Sequence, residues 1–345
     1  MFAYVLRRVL YMPLILFGVI LLTFTLFYMV ASPDALAKMK LGEKATRLQV
    51  LDWQENQGYI TWTDDGLEKR QATQRMSTAE AKEVVFVDGT DYESRSWLGL
   101  FGSYVGSVLT FDFGNDRTDK PVSERLWEGL GPSLSLTLPA FLISELVGVF
   151  FGLFAAMYRQ SRIDHTIVIS AIILMSFNGI ALIMFGQKFL AADWAYFPVH
   201  GFEAGFQALR FLILPIILYL IITLGEKVRF NRIVMLDEVD QDYVRTARSK
   251  GANENTVLFK HVLRNSLIPL ITRWTVAIAS LYVGSLVLES FFGIPGLGSL
   301  TIDAIANNDV NVIRAIVILG AISFMIANLL SDVLYAVVDP RVRLE

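Results

Sequence analysis

Long runs without charge alternate with short, charge-rich connections along this chain, and the runs are too long for a soluble core. From Val9 to Pro33 no residue is charged, a length that suits a tilted bilayer-crossing helix. Arg7 and Arg8 stand just before it. Ala35-Leu36-Ala37 superficially fits a signal-peptide cleavage site, but the apolar core of a signal peptide is only about 7–15 residues. The run therefore reads as a retained span with the N-terminus inside. A second span runs from Ser133 to Tyr158, interrupted only by Glu145, and a third from His165 to Gln187. Three more fall near Leu209–Lys227, Ser266–Ser290 and Ile313–Tyr335. Their uncharged cores are short, so their charged ends are expected to snorkel to the interface.

Lysine and arginine set the orientation. Six spans starting inside place Arg159, Arg162, Lys227, Arg229, Arg232, Arg245, Arg248, Lys250, Lys260, Arg264, Arg341 and Arg343 in the cytoplasm. The two short outer connections, Ala191–Gln207 and Phe291–Val312, contain neither Lys nor Arg. Every short loop thus obeys the positive-inside rule. Ser96–Phe111 is also uncharged, but it is short and rich in glycine and serine. Counting it as a span would put Arg159 and Arg162 outside, so it reads as an amphipathic segment near the outer interface.

The expected organisation is a first transmembrane helix over 1–31, a large outer loop over 32–132, a five-helix core over 133–335 and a cytoplasmic tail over 336–345. In the outer loop, Gly58–Gly66 reads as a strand running into a turn, and Val84–Gly89 as a second strand. Either a small β-containing cap or a partly ordered loop satisfies that pattern.

Composition supports the membrane reading: of 345 residues 54% are hydrophobic and only 18% charged, against roughly 25% charged in soluble chains. A net charge of −3 gives no basic footprint for nucleic acid. The absence of cysteine excludes disulfides, zinc–thiolate sites, iron–sulfur clusters and thiol nucleophiles. His165, His200 and His261 are scattered without an HExxH pattern, so no metal or other cofactor is expected.

The connection between spans four and five, 234–265, carries the most information. Asp237, Glu238, Asp240 and Asp242 precede Arg245, Arg248 and Lys250, and Gly251 follows. Acids early, bases late and a terminal glycine describe a helix matched to its dipole. Asn253 can cap a second helix through Thr256–Leu263. This pattern predicts a cytoplasmic helical hairpin, or an ordinary basic loop set by topology alone.

Here the sequence resembles the permease subunits of oligopeptide and dipeptide ABC importers, the B-type subunit in particular. Asp242-Tyr243-Val244-Arg245-Thr246-Ala247-Arg248-Ser249-Lys250-Gly251 and Lys260-His261-Val262-Leu263-Arg264-Asn265 look like that family's version of the ATPase-docking EAA loop. Arg245-Thr246 departs from its first two positions. Further matches are Tyr4–Arg8, Asp112-Phe113-Gly114, Ser135–Leu138, Asp164-His165, Tyr196–Gly201, Glu289–Gly298, Asp332–Tyr335 and Asp339-Pro340-Arg341. The family's Pro-Gly-Asp after span one is replaced by Ala31-Ser32-Pro33-Asp34, and Lys38–Glu93 is longer than usual.

The resemblance implies the six-helix type I ABC importer permease fold in a bacterial inner membrane, with both termini cytoplasmic. It also implies a homologous second permease, two ATPase subunits and an external binding protein as partners, besides the lipids. It makes Tyr243, Arg245, Thr246, Ala247, Gly251, His261 and Asn265 the coupling residues. The chain itself lacks a GxxxxGK[ST] loop; Gly293–Ser299 is glycine-rich without the phosphate-reaching Lys. No enzymatic activity is therefore expected of it. Glu145, Asn178 and Gln187 are candidates for the translocation path or for helix pairing. Glu289, Pro295, Gly296 and Gly298 are candidates for an outer gate, with Asp332 at the inner end of span six. The alternative is an ion-coupled secondary transporter with Glu145 as proton carrier, against which stand the docking hairpin and the absence of inverted-repeat symmetry. The cargo stays open among dipeptides, oligopeptides, nickel chelates, glycosides and peptide antibiotics.

Overall fold

The computed structural model describes residues 2–30, 32–75, 90–281 and 284–338. The proposed strand at Val84–Gly89 and the Asp339-Pro340-Arg341 match lie outside the described residues. The chain forms two compact units. One comprises Ile15–Glu124 with Ala304–Ile318; the other comprises Met1–Leu14, Arg125–Asp303 and Leu319–Glu345.

Helix α1 (Phe2–Phe24) passes through a π-helical turn, Thr25–Val30. Its exposed Leu10, Leu14 and Leu22 are suited to lipid. Helix α2 (Pro33–Leu41) starts where the Ser32 hydroxyl accepts the Ala35 amide and proline fills the first position, a preorganised start. Helix α3 (Arg47–Asn56) opens on a full capping box between Thr46 and Gln49. Strand β1 (Ile60–Trp62) leads into α4 (Asp64–Arg75), and β2 (Tyr92–Ser94) returns antiparallel to β1, with Thr61 opposite Glu93. The sequence places a strand running into a turn here; the strand is only three residues long, and Asp64 and Asp65 open a helix instead. Acidic residues favour that end of a helix dipole. The described residues between α1 and α6 are thus mainly helical with a two-stranded sheet.

Leu36, Leu51, Tyr59 and Ile60 form the core of this unit. Helix α5 (Trp97–Thr110) is the apolar Ser96–Phe111 segment, capped by Ser96. Its Phe101 meets the edges of Phe17 and Phe24, and its buried Tyr104 donates to Thr23 at 2.9 Å. Leu98 and Leu109 remain exposed, so α5 sits against a lipid-crossing helix with its own apolar surface outward.

The other unit carries most of the long helices. Helix α6 (Val122–Met157) begins in the first unit and continues through this one; α7 (Arg162–Ser176) and α8 (Gly179–Gly186) follow. The α7–α8 pair, counted with its π-helical extension to Asp193, is bent by 86° at Phe177-Asn178. Helix α9 (Ala208–Val239) has 32 residues, about 48 Å at 1.5 Å each. Helices α10 (Asp242–Ser249) and α11 (Glu254–Thr256) form the predicted hairpin, and a π-helical segment, Val257–Val262, leads into α12 (Leu263–Leu281). Helices α13 (Leu286–Phe292) and α14 (Leu297–Ala306) are bent by 87°, and α15 (Val310–Val338) ends the described chain. Phe291–Val312, expected as an outer loop, is therefore largely helical.

Among the described residues four helices, α1, α6, α9 and α15, are long and apolar enough to cross a membrane, and up to six spans result if each bent pair counts as one. Helix α12 falls outside that set; its 19 residues include Arg264 and Arg273. Close approach between α6 and α9 depends on two glycines. A Cβ at Gly148 would lie 2.8 Å from Lys227 Cβ, and one at Gly152 only 2.6 Å from Asn231 Cβ. Small residues four apart are the usual means of bringing membrane helices together.

Candidate functional site

The candidate residues of the 125–303 unit assemble into three structures with different chemistry. The first is ionic. Glu145 on α6 and Lys227 on α9 pair at 2.8 Å with side chains 8% and 6% exposed. Trp274 of α12 donates its indole N–H to the second Glu145 oxygen at 2.7 Å, and the ammonium also donates to Ser144. Phe141 and Tyr219 present ring faces to Lys227 at 5.3 and 5.5 Å. Glu145 is thus engaged on both oxygens and ties α6, α9 and α12 together. Lys227, which the charge pattern places on the cytoplasmic side at the end of span four, is instead buried inside a helix that continues for twelve more residues. A second pair nearby joins α9 to α7 instead. Arg232 grips Asp164 through Nε at 2.7 Å and Nη2 at 2.8 Å, while Asp164 also accepts the Gln160 amide.

The second structure surrounds Glu289, which is fully buried. One carboxylate oxygen accepts from Ser133 Oγ at 2.9 Å and the Ser285 amide at 2.8 Å; the other accepts the Gly298 and Ser299 amides at 2.7 and 3.2 Å. The last two are first-turn donors of α14, which lack intrahelical partners, so a carboxylate here complements the helix dipole. Ser133 passes the link to α6 by accepting the Leu297 amide at 2.7 Å. The glycines around the site are required by space. A Cβ at Gly296 would lie 2.2 Å from the carboxylate, and one at Gly284, whose φ is +78°, 2.3 Å from it. A Cβ at Gly298 would lie 2.8 Å from the Leu286 amide nitrogen. Ile294 just before Pro295 is also buried. Glu289, Gly296 and Gly298 therefore come together, as a packed joint between α6, α13 and α14.

The third structure is the hairpin between α9 and α12. Val244 and Ala247 on α10 are buried with Val257, Leu258 and Val262, against Leu153 and Ala156 of α6, Met235 of α9 and Leu270 of α12. Arg245, Thr246, Ser249 and Lys250 face outward, as does Phe259, which is 60% exposed. Gly251 adopts φ +80° with open space around a would-be Cβ, and Asn253 caps α11 by accepting the Thr256 amide at 2.8 Å. Arg248 holds the turn closed by a two-point contact with Glu254 at 3.0 and 3.1 Å. Tyr243 donates to Glu238, and burial first, then that hydrogen bond, pushes its phenol up to about 12. His261 is half-buried, and its carbonyl accepts from Asn265 at 3.0 Å.

The structure does not bring the three path candidates together. Asn178 is exposed at the α7–α8 break, where its side chain caps α8 by accepting the Ala181 amide at 3.1 Å. Gln187 donates to the carbonyls of Val199 and Phe291 at 3.0 and 2.7 Å, holding the connection between α8 and α9 to the end of α13. Among the described residues no hydrogen bond joins either of them to Glu145. Lys227 and Trp274, its partners, escape a reading of separate spans. The Gly148-x-x-x-Gly152 spacing is the signal that could have brought α6 and α9 together.

Residues 148–344 match the model of the binding-protein-dependent transport system inner membrane component family. The chain belongs to this family. The oligopeptide transport system permease protein AppB of Bacillus subtilis is 36% identical over 251 residues, covering 69% of this chain and 78% of that protein. The glutathione transport system permease protein GsiC of Salmonella typhimurium is 35% identical over 262 residues, covering 72% and 83%. The chain is accordingly a multi-pass inner-membrane permease subunit of an ABC importer, working with a solute-binding protein and with ATPase activity on a separate subunit. The comparisons give no support to an ion-coupled carrier, and Glu145 is already occupied by Lys227 and Trp274.

Proposed function

We propose that this chain forms half of a translocation pathway for peptides or peptide-like solutes, paired with a homologous second permease, and that 234–265 couples it to two ATPase subunits. The carrying observation is the hairpin. Its apolar face is consumed inside the subunit, while Arg245, Thr246, Ser249, Lys250 and the aromatic ring of Phe259 are left exposed on its outer surface. A basic rim around one exposed aromatic is a suitable anchor for a partner protein. The names of the relatives support the peptide cargo.

In this reading both termini are cytoplasmic, α12 is the fifth span, and α13–α14 re-enters on the outer side. The Lys- and Arg-free outer connections support that topology. Asn178, exposed at a break in a membrane helix, is the path candidate that remains available to solute. Glu289 with its glycines acts as the joint of the outer gate.

The test uses the natural absence of cysteine. Ser249→Cys should cross-link to a cysteine placed in the ATPase, and the assembled importer in proteoliposomes should hydrolyse ATP faster when binding protein and peptide are supplied. Cross-linking confined to other surfaces, or hydrolysis indifferent to peptide, would refute the proposal.

A further inference from the structure

In the unit formed by Ile15–Glu124 and Ala304–Ile318, one buried cation has no counter-ion among the described residues. Arg314, the fifth residue of α15, is 6% exposed. A guanidinium carries five N–H donors. Here Nη1 donates to the Tyr28 hydroxyl at 2.5 Å, and Nη2 donates to Gln57 Oε1 at 3.3 Å and to Asn311 Oδ1. Nε is buried without a hydrogen-bond partner. Among the described residues no carboxylate forms a salt bridge with it. The faces of Tyr28 and Tyr104, at 5.3 and 5.9 Å, soften the burial of the charge but complete none of its hydrogen bonds. A charge held out of water is ordinarily paired, and an ionisable group in a membrane helix marks a functional site by default.

Beside this guanidinium lies a predominantly polar pocket of about 150 Å³, lined by Tyr28, Gln57, Tyr104, Ser107, Asp112 and Arg314 among others. Asp112 is exposed, and its Oδ1 accepts the Gly114 amide at 3.0 Å. The donors left over, Nε–H and the second Nη1–H, suit a charged acceptor such as a carboxylate oxygen. The Asp112 charge disfavours a multiply charged anion in the same pocket and favours a ligand that also bears an ammonium.

We propose that this pocket binds the carboxylate of a small zwitterionic solute, an amino acid or the end of a short peptide, with Arg314 as the carboxylate receptor and Asp112 as the ammonium-side contact. Only the natural source of the ligand rests on the peptide-import reading. Such a site would hold a solute within the permease's own outer region. The relatives' names assign nothing of this kind.

Binding is measured on the full chain in lipid nanodiscs by calorimetry and thermal shift, with diglycine, acetate and glycinamide as probes. Diglycine should bind with a Kd on the order of millimolar, as expected for so few atoms. Acetate should bind more weakly, and glycinamide, which lacks the carboxylate, should not bind. Arg314→Gln should abolish the response. Because that variant also alters a buried cluster, Ser107→Leu supplies the second arm: it fills the pocket and leaves Arg314 in place. It should weaken diglycine binding by at least about tenfold while its midpoint without ligand stays at the wild-type value. Undiminished diglycine binding in Ser107→Leu, equal binding of glycinamide, or no diglycine binding by the wild type would each overturn the inference, whatever peptide uptake shows. Loss of peptide uptake specificity with diglycine binding intact would overturn the import reading alone.

Discussion

Removing either charge of the Glu145–Lys227 pair should cost far more than removing both. Glu145→Gln keeps an oxygen for the Trp274 N–H, now at 2.7 Å, but leaves the ammonium with only Ser144 and the ring faces of Phe141 and Tyr219. Breaking a buried pair costs about 3–5 kcal/mol. The residual contacts put this variant near the low end, at roughly 3 kcal/mol, since a desolvated cation–π contact recovers up to about 2. Lys227→Met leaves a carboxylate whose remaining donor is the Trp274 indole, so it belongs at the upper end, about 5 kcal/mol. In Glu145→Gln/Lys227→Met no buried charge remains, and replacing a whole pair by groups of similar volume is often nearly neutral. The double variant should therefore be more stable than either single one. Denaturation midpoints of the chain in mixed micelles, taken as a full cycle, read the coupling directly. Single variants as stable as wild type, or a double variant showing the sum of both losses, would refute the claim that this pair ties α6, α9 and α12.

Gly152→Ala should reduce stability by about 1–3 kcal/mol, because the added methyl meets Asn231 Cβ at 2.6 Å and the Arg232 amide at 3.1 Å; Gly131→Ala, on the same helix with nothing within 4 Å, is the control in the same denaturation assay. Glu289→Gln should cost about 2–3 kcal/mol, since an amide N–H₂ then confronts donors from Ser133, Ser285, Gly298 or Ser299; hydrogen exchange at the start of α14 should rise. Gly251→Val should abolish peptide-stimulated ATP hydrolysis at equal membrane levels, because φ is +80° there, whereas Gly251→Asn, which tolerates that conformation, should retain much of it. Tyr243, whose phenol is raised to about 12 from about 10 in an unfolded chain, favours the folded state while it is protonated. Its contribution is full below pH 10 and is lost as pH rises from 10 through 12, so alkaline denaturation of Tyr243→Phe should be less steep over that window.

The charge-free runs and the Lys/Arg asymmetry made the helical, multi-pass architecture legible, because a bilayer imposes length and polarity on each span separately. The hairpin was legible for a similar reason: Asn253, Gly251 and the acid-to-base gradient are local signals of helix ends. What could not be read span by span was which helix faces which. Glu145 stood out as an intramembrane charge, but Lys227 read as an ordinary interfacial lysine until α9 proved to extend to Val239. A hydropathy profile treats a snorkelling lysine and a paired buried one alike; only the helix across from it distinguishes them. The bent α13–α14 pair was missed because its helices are short and glycine-broken, and Glu289 is held by backbone amides that leave no mark on composition. The same applies to Arg314, whose burial follows from tyrosines at positions 28 and 104, far away in sequence.

Two features of the 125–303 unit involve the same three helices, and this constrains how force can travel. The hairpin buries its apolar face against Leu153 and Ala156 of α6, Met235 of α9 and Leu270 of α12. The Glu145–Lys227–Trp274 cluster joins α6, α9 and α12 again, and Gly148 and Gly152 let α6 and α9 approach closely between the two. Packed interiors resist continuous deformation, so a displacement of α10 is delivered to all three helices together instead of bending one of them. Freedom to change shape is then left to places where the helical hydrogen-bond ladder is already interrupted. The 86° break at Phe177-Asn178 is one, and the 87° bend between α13 and α14 is another. The second is bridged by Glu289, whose contacts with Ser133 and with the first amides of α14 can be exchanged without unfolding a helix. A tied three-helix body ending in the hairpin proposed to dock the ATPase, with breaks in the elements beside it, is a division of labour suited to a pump whose energy arrives from a separate chain.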